Sequence, residues 1–401
     1  MVHVAIAEGR IAAIGREAPA AREVIDLEGH LVTPGLVEAH IHLDKALLAD
    51  RVGASAGTLD EAIRLTGEAK RGFTVDDIRA RARRVLDMAI AAGTTAMRTH
   101  VEVDPILGLA ALEAVLPLKT EYAPAIDLQI CAFAQEGIVQ TPGTEGLLRR
   151  ALTHGADLVG GCSYNDTDAE QHIQIIFALA RAFDVDADFH VDFFDEPDHL
   201  HVRQIIEDTV RTGWQGRVVV GHLTELAALP VVEQDLIIAD LASAGIGVIA
   251  LPATDLYLMG RGDETNVRRG LTPLRRLLAA GVPVALASNN IRNPFTPVGT
   301  ADLADLTFLT AVAGHMGTAR EMRMLLDTIT IHPARMLRLP DYGLAVGCRA
   351  DLVVWDCARP EDVVAALPSR LVVIKHGRVT IEHERRTRER WREEHGSTAT
   401  S

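Results

Sequence analysis

The sequence predicts an α/β protein built on a (β/α)8 barrel of the TIM type, with a small β-sandwich domain formed by both termini. Three observations carry this prediction: a length of 401 residues, eight apolar strand-like segments in the middle of the chain, and short β-like runs at both ends. A barrel of eight βα units takes roughly 250 residues, which leaves room for one small further domain. Hydrophobic residues make up 48% of the chain but aromatic residues only 4%, so aliphatic side chains must build the core, as in buried parallel sheets.

The first and last parts of the chain share this β-like character. Short runs of alternating or β-branched residues lie at residues 4–6, 10–14, 350–355 and 371–374. We therefore predict that residues 1–34 and 338–383 together form the small β domain. Residues 384–401 carry crowded charges without apolar spacing, and we predict that they form a solvated charged tail.

Eight apolar segments within residues 35–337 alternate with stretches of helical periodicity, and this region is the predicted barrel. The segments lie at residues 36–42, 95–103, 127–133, 158–162, 186–193, 218–222, 247–251 and 284–288. The stretches between them place apolar side chains on one helical face, as Ile78, Val85 and Ile90 do. Right-handed βα crossovers make such strands parallel, and eight is the number of strands that closes this barrel.

The charge balance and the cysteine pattern exclude several classes of partner. Forty Lys and Arg against 55 Asp and Glu give a net charge of −15, which repels nucleic acid and anionic lipid. No uncharged apolar stretch approaches the ~18 residues that a membrane span needs. The four cysteines show no CxxC spacing, and no secretory signal precedes them. We expect a cytoplasmic protein without nucleic-acid or membrane partners, and a homo-oligomer, since closed homo-oligomers are common among soluble enzymes.

Four histidines lie at the ends of predicted barrel strands. His40 and His42 are two residues apart at the end of the first strand, and the period of a strand points both imidazoles to one face. His190 closes the fifth strand and His222 closes the sixth. Active sites of this fold form at the carboxyl ends of the strands, so these imidazoles should converge on a zinc-like ion. The alternative, a pair of hydrogen-bonded surface histidines, does not account for His190 and His222.

Several motifs along nearly the whole chain are shared with one enzyme family. They are VTPGLVEAHIHLDK at residues 32–45, RTHVEV at 98–103, AFAQEG at 132–137 and ADLVV at 350–354. With these motifs the chain resembles the amidohydrolase superfamily, and within it the branch of cytosine deaminase and N-isopropylammelide amidohydrolase. The resemblance implies one divalent metal ion per chain, bound by His40, His42 and His190. Zinc is the first expectation, with iron, manganese or cobalt as alternatives because imidazole suits all four to different degrees.

The resemblance also implies roles for residues around the metal. His222 would contact the hydrolytic water or the substrate, and Gln135 would hydrogen-bond a carbonyl or ring nitrogen of a heterocycle. Lys45, directly after the HxHxD run, matches the ammelide-hydrolase pattern and is a catalytic candidate, although a solvent-exposed loop lysine is the alternative. His100 and Asp255 are expected to line the substrate pocket. The alternative for His100 is packing beneath the site.

Three positions depart from the family pattern. Residues 160–164 offer no lysine to bridge a second metal, so a mononuclear site is expected. Phe193 stands where cytosine deaminases carry a glutamate, which argues against cytosine as the substrate. Asn289 occupies the position of the family's last-strand aspartate, which is both metal ligand and proton-accepting base. An amide cannot accept the proton of the attacking water, so Asn289 is a candidate metal ligand and catalytic-site residue that lacks the base function.

The loss of that carboxylate shifts the proton transfer to other groups. Three neutral imidazoles leave the charge of the metal uncompensated, and such a zinc site lowers the pKa of its water to about 7 in carbonic anhydrase. A strong base is then unnecessary, but a proton must still reach the leaving nitrogen. Asp192, on the same strand face as His190, or His222 is predicted to carry it.

We therefore predict a metal-dependent hydrolase of carbon–nitrogen bonds other than peptide bonds. It would deaminate or dealkylaminate a small amino-substituted N-heterocycle, a cyclic amidine. Two alternatives stay open: the hydrolytic opening of a cyclic amide, and a barrel that still binds metal or ligand but is catalytically impaired by Asn289.

Overall fold

The computed structural model describes residues 2–17, 20–53, 57–198 and 200–384. Apart from residue 384, the charged tail predicted at 384–401 lies outside this range. The strands are β1 (His3–Ala7), β2 (Arg10–Gly15), β3 (Leu31–Pro34), β4 (Leu36–Ile41), β5 (Thr94–Glu102), β6 (Asp127–Ala134), β7 (Leu158–Cys162), β8 (Asp186–Val191), β9 (Val218–His222), β10 (Gly247–Ala250), β11 (Val284–Leu286), β12 (Leu352–Trp355), β13 (Arg370–Lys375) and β14 (Arg378–Glu382).

The helices follow most of the barrel strands and form the outer layer. They are α1 (Leu59–Lys70), α2 (Val75–Ala91), α3 (Ala110–Tyr122), α4 (Thr144–Thr153), α5 (Ala169–Phe183), α6 (Val202–Thr212), α7 (Val231–Ser243), α8 (Pro252–Leu258), α9 (Leu274–Ala279), α10 (Leu303–Ala313), α11 (Ala319–Asp327), α12 (Ile331–Met336) and α13 (Pro360–Ala366). No helix in the part of the chain that the structure describes has the length and apolarity of a membrane span.

Eight parallel strands, β4 to β11, form one sheet in chain order, which confirms the predicted barrel. The sheet closes at Asn289, beyond the last residue of β11. The backbone N–H of Asn289 donates to the carbonyl of His40, and the N–H of His42 donates to the carbonyl of Asn289, both at 2.8 Å. The Glu38 carboxylate reinforces this closure by accepting from the backbone N–H groups of His40 and Ser288. The first histidine pair is therefore fixed to the end of the last strand.

Local sequence explains how the outer helices are placed. Thr74 caps α2 by accepting from the N–H of Asp77, and the apolar face predicted from Ile78, Val85 and Ile90 is buried. Each such side chain stabilises the fold by about 1.5–3 kcal/mol when fully buried. This face packs in the main hydrophobic core between the helices and the sheet.

Both termini contribute to small antiparallel sheets, as the sequence predicts. Strand β3 pairs with β12, and β13 and β14 complete a four-stranded sheet in the order β14-β13-β12-β3. Strands β1 and β2 form a second sheet, in which Ile11 packs against Leu352, Val354 and other apolar side chains of the larger sheet. The buried Lys375 of β13 joins this region to the amino-terminal end of the barrel through Asp127.

Candidate active site

Five imidazoles meet inside the mouth of the barrel. His40 and His100 lie on β4 and β5, His42 follows β4, His190 lies on β8, and His222 ends β9. Each has a relative exposure of 2% or less. The rings of His40 and His100 are stacked with centroids 3.8 Å apart, and the His190 ring lies 4.5 Å from that of His40 and 5.1 Å from that of His222. The structure thus brings the four predicted histidines together and adds His100 to them.

Three of these imidazoles lie close enough together to share one ion. Ring nitrogens of His40, His100 and His190 lie within 4.8 Å of one another, and the Nε2 atoms of His40 and His190 are 2.6 Å apart. The ring centroid of His42 is 5.4 Å from the centroids of His40 and His190. The ligand set predicted from the sequence contains His42 rather than His100. Both rings border the same space, and the choice between them stays a prediction.

The imidazoles keep lone pairs without hydrogen-bond partners. His40 Nδ1, His100 Nδ1 and both ring nitrogens of His42 are buried without a hydrogen-bond partner, whereas His100 Nε2 lies near the Asp188 carboxylate. Burial, and secondarily the neighbouring charged forms, lower the pKa of His40, His42 and His190 well below the ordinary histidine value. These rings are therefore neutral at pH 7 and offer nitrogen lone pairs. Because an unpaired buried polar atom costs about 1–3 kcal/mol, this cluster fits a bound divalent cation, for which neutral imidazole is a common ligand.

A buried ion pair lies beneath the imidazoles, and the sequence analysis missed it. Arg98 Nη1 lies 3.1 Å from Asp188 Oδ2, and Asp188 Oδ1 lies 3.2 Å from His100 Nε2 and 3.9 Å from His40 Nδ1. The signal was present in the chain. Arg98 precedes His100 by two residues on β5, and Asp188 precedes His190 by two residues on β8, so each pair shares a strand face.

His222 has a carboxylate partner and an aromatic neighbour. Its Nδ1 lies 2.8 Å from Asp255 Oδ1, and the Phe193 ring is stacked on the imidazole with centroids 3.8 Å apart. Asp255 was predicted to line the substrate pocket, and a loop after the seventh strand was the expected position. It lies instead in helix α8, with Oδ2 accepting from the N–H of Leu251 at 3.2 Å. Burial raises the pKa of Asp255, and the bond to His222 opposes this effect.

Asn289 lies beside the histidines with only one end of its amide paired. Its Nδ2 donates to the hydroxyl of Thr254 at 3.2 Å, whereas its Oδ1 is buried without a hydrogen-bond partner. The backbone bonds to His40 and His42 fix the residue at the barrel closure. Asn289 thus presents a buried oxygen lone pair without a hydrogen-bond partner at the barrel closure.

Lys45 is buried, which rules out the alternative of a solvent-exposed loop lysine. Its Nζ donates to Glu102 Oε1 at 2.7 Å and to Gln135 Oε1 at 3.0 Å. Lys70, from the end of α1, contacts the other oxygen of Glu102 and also pairs with two further acidic residues. Although burial alone would raise it, Lys45 and Lys70 lower the pKa of Glu102 to about 2. Since Lys45 occupies the carbonyl end of Gln135, the amide N–H groups of Gln135 remain as donors.

Asp192 does not follow the strand face of His190. Strand β8 ends at Val191, and Asp192 has a φ of 51°, so the period of two no longer applies. Its Oδ1 accepts from the N–H of His201 at 2.7 Å and its Oδ2 from that of Val202 at 3.2 Å, at the start of α6. Burial, followed by the nearby Glu225, raises the pKa of Asp192 to about 7. Its predicted part in proton transfer stays a prediction.

Comparison with known proteins identifies one family and relatives that match most of the chain. A family model described as "Amidohydrolase family" matches residues 23–381. The chain is 30% identical over 371 residues to N-isopropylammelide isopropyl amidohydrolase from Pseudomonas sp. (strain ADP), covering 90% of this chain and 89% of that protein. It is 31% identical over 388 residues to pterin deaminase from Rhizobium rhizogenes, covering 94% of this chain and 87% of that one.

A solved structure resembles nearly the whole fold. The crystal structure of 5-methylcytosine deaminase from Klebsiella pneumoniae, liganded with phosphonocytosine, has a TM-score of 0.92 to this chain at 32% sequence identity. The match covers 97% of this chain and 96% of that chain. The small terminal sheets as well as the barrel therefore belong to the shared architecture.

Proposed function

Because the chain belongs to the amidohydrolase family and is an enzyme of non-peptide carbon–nitrogen bonds, we propose that it removes an amino or alkylamino group from an N-heterocycle. The proposed cofactor is one divalent metal ion, with zinc as the first choice. The relatives named above act on an ammelide, a pterin and 5-methylcytosine, which are all nitrogen heterocycles. The substrate of this chain is proposed to be of the same small, amino-substituted kind.

The observation that carries the proposal is the set of unpaired imidazole nitrogens from separate strands. His40 and His190 would hold the ion, together with His42, His100 or both, and with Asn289 as an oxygen donor. When bound, the metal would supply Lewis acidity and activate water for attack on a ring carbon. All other steps depend on the side chains of this protein.

The pair His222 and Asp255 is proposed to move the proton. Asp255 accepts a hydrogen bond from Nδ1, which leaves Nε2 of His222 as the nitrogen that exchanges protons with water and with the leaving amine. The stacked Phe193 keeps the ring in place and excludes water from one of its faces. This pair replaces the base function that Asn289 lacks.

Gln135 and Lys45 are proposed to orient the heterocycle. The carbonyl of Gln135 is engaged by Lys45, so the free N–H groups would donate to a ring nitrogen or carbonyl oxygen of the substrate. Glu102 holds the Lys45 ammonium in the site. A substrate with an acceptor atom beside the reacting carbon suits this arrangement.

The proposal is tested with purified zinc-loaded protein and a panel of aminopyrimidines, aminotriazines and pterins. We expect ammonia or an alkylamine to be released in equal amount to the product, and chelation to abolish the reaction. A ring-opened product without amine would replace the proposal by cyclic amide hydrolysis. Absence of turnover on all compounds, with activity gained in Asn289→Asp, would support the impaired barrel instead.

A further inference from the structure

The side chain of Asn289 is held at the barrel closure by two buried threonines. Its Nδ2 donates to Thr254 Oγ1 at 3.2 Å, and Thr254 Oγ1 lies 2.6 Å from Thr296 Oγ1. Thr254 belongs to α8 and Thr296 follows β11, and both are buried, with relative exposures of 1% and 0%. Three polar side chains from the ends of two neighbouring barrel strands thus form one chain of hydrogen bonds.

This chain of bonds distinguishes the two ends of the amide. Either hydroxyl can donate in the bond between Thr254 and Thr296, and in both cases a lone pair of Thr254 Oγ1 receives the N–H of Asn289. The donor end of the amide is then occupied, and the acceptor end, Oδ1, is left buried without a partner. Only the oxygen end of an amide can bind a cation, since the nitrogen carries two hydrogens and no available lone pair.

The backbone of Asn289 is bonded directly to the segment that carries the first two imidazoles. Its peptide N–H and carbonyl are bonded to His40 and His42, and its φ of 55° is a left-handed conformation that asparagine adopts more readily than most residues. The backbone therefore sets the position of the residue, and the bond from Nδ2 to Thr254 leaves Oδ1 as the end of the amide without a partner.

We propose that Thr254, supported by Thr296, is a positioning residue that fixes Asn289 with Oδ1 as a neutral oxygen ligand of the metal ion. The inference rests on the metal site of the proposed function. Residues that hydrogen-bond a metal ligand typically change metal affinity by 10–100-fold when they are mutated. Among the described residues, the side chain of Thr254 has hydrogen bonds to Asn289 and Thr296 only.

The test is a competition titration of zinc-loaded protein against a chromophoric chelator. We expect Thr254→Val, which keeps the shape of the side chain but removes the hydroxyl, to weaken zinc binding by at least about tenfold. Thr254→Ser restores the hydroxyl and should bind zinc as the unmodified chain does. In an Asn289→Ala background, Thr254→Val should have no further effect, because the group that it positions is absent.

A second measurement follows the metal directly. In cobalt-loaded protein, Thr254→Val should shift the visible absorption toward that of Asn289→Ala, whereas Thr254→Ser should leave the spectrum unchanged. If Thr254→Val does not fold, Thr296→Val carries the same test and should weaken zinc binding.

Unchanged zinc affinity in the folded valine variant, or an equal loss in the Asn289→Ala background, would overturn the inference and leave the proposed hydrolase intact. Failure of the unmodified chain to bind zinc at all would instead overturn the proposed function.

Discussion

The amino-terminal end of the barrel and its mouth both bury polar side chains, but several imidazole nitrogens at the mouth lack a hydrogen-bond partner, whereas the buried Lys375 at the first end has three acceptors. Lys375 is fully buried, and its Nζ donates to Thr95 O at 3.0 Å and to Asp127 and Asp351, both at 2.8 Å. The hydroxyl of Tyr342 donates to a backbone carbonyl at 2.6 Å. Every strong donor in this group has an acceptor.

At the mouth, buried nitrogens of His40, His42 and His100 and the Oδ1 of Asn289 have no partner. Native structures pair nearly all buried polar atoms, so a cluster of exceptions calls for an explanation. The two ends of the barrel therefore differ in how their buried polar groups are satisfied. Paired charges at the amino-terminal end hold two sheets together, whereas the nitrogens without hydrogen-bond partners at the mouth belong to the proposed metal site.

The largest expected effect comes from removing one imidazole from the cluster at the barrel mouth. His190→Ala removes an imidazole that borders both His40 and His222, and we expect zinc affinity and turnover to fall by more than the ~100-fold typical of residues that only support a ligand. Zinc content by elemental analysis and initial rates of amine release check this. His154→Ala, a change at an exposed histidine, is the matched control and should alter neither quantity. Retained zinc in His190→Ala would contradict the site.

The next effect tests the amino-terminal end. Lys375→Met leaves Asp351 buried without its cation, so the free energy of unfolding should fall by about 3 kcal/mol, while zinc content stays unchanged. Urea denaturation of the metal-loaded protein measures this. Arg83→Met, which removes an exposed pair with Glu121, should leave the free energy of unfolding nearly unchanged. Equal losses in both variants would mean that burial of the pair is unimportant.

A smaller effect decides the role of Asp192. If it transfers protons, as the sequence predicts, Asp192→Asn lowers turnover by about 10²-fold or more. If its main task is to accept the N–H groups of His201 and Val202, the same change lowers the free energy of unfolding by about 1–3 kcal/mol and spares turnover. We expect the stability loss, because both oxygens are already engaged. Rates and urea denaturation on one protein preparation separate the two roles.

The smallest expected effect is on the pH dependence of stability and comes from Asp166, a paired carboxylate in a loop at the barrel mouth. Asp166 accepts from the N–H groups of Ile138, Val139 and Gln140 and pairs with His172. Although burial alone would raise it, these bonds hold the pKa of Asp166 below the ordinary aspartate value. A folded-state pKa below the unfolded one contributes stability above about pH 4 that is lost on acidification.

Asp166→Asn should therefore flatten the loss of stability below pH 4 while lowering stability at pH 7. Thermal melts of the variant and the unmodified chain between pH 2.5 and 7, in steps of about half a unit, give the comparison. Parallel curves for the two proteins would show that Asp166 has no depressed pKa in the folded state.

The barrel and its histidines were predictable because both depend on short sequence periods. Apolar strands followed by helical stretches give the βα order, and the spacing of His40 and His42 puts both at one strand end. The same reasoning failed at Asp192, since it assumed that the strand continues beyond Val191. Periodicity holds only as long as the backbone keeps its regular dihedral angles, and Asp192 has a positive φ.

The sequence by itself determined the eight-stranded barrel, the terminal β strands and the residues that reach its mouth, because these follow from local spacing of apolar and chelating side chains. Only the tertiary structure decided the partners: Asp188 for Arg98, Asp255 for His222 and Thr254 for Asn289. These pairs are separated by 33 to 90 positions in the chain, so no local pattern connects them. Barrel closure brings the strand ends together. The positions of the side chains after closure decide which buried polar atoms have hydrogen-bond partners and which remain available to the proposed ligand.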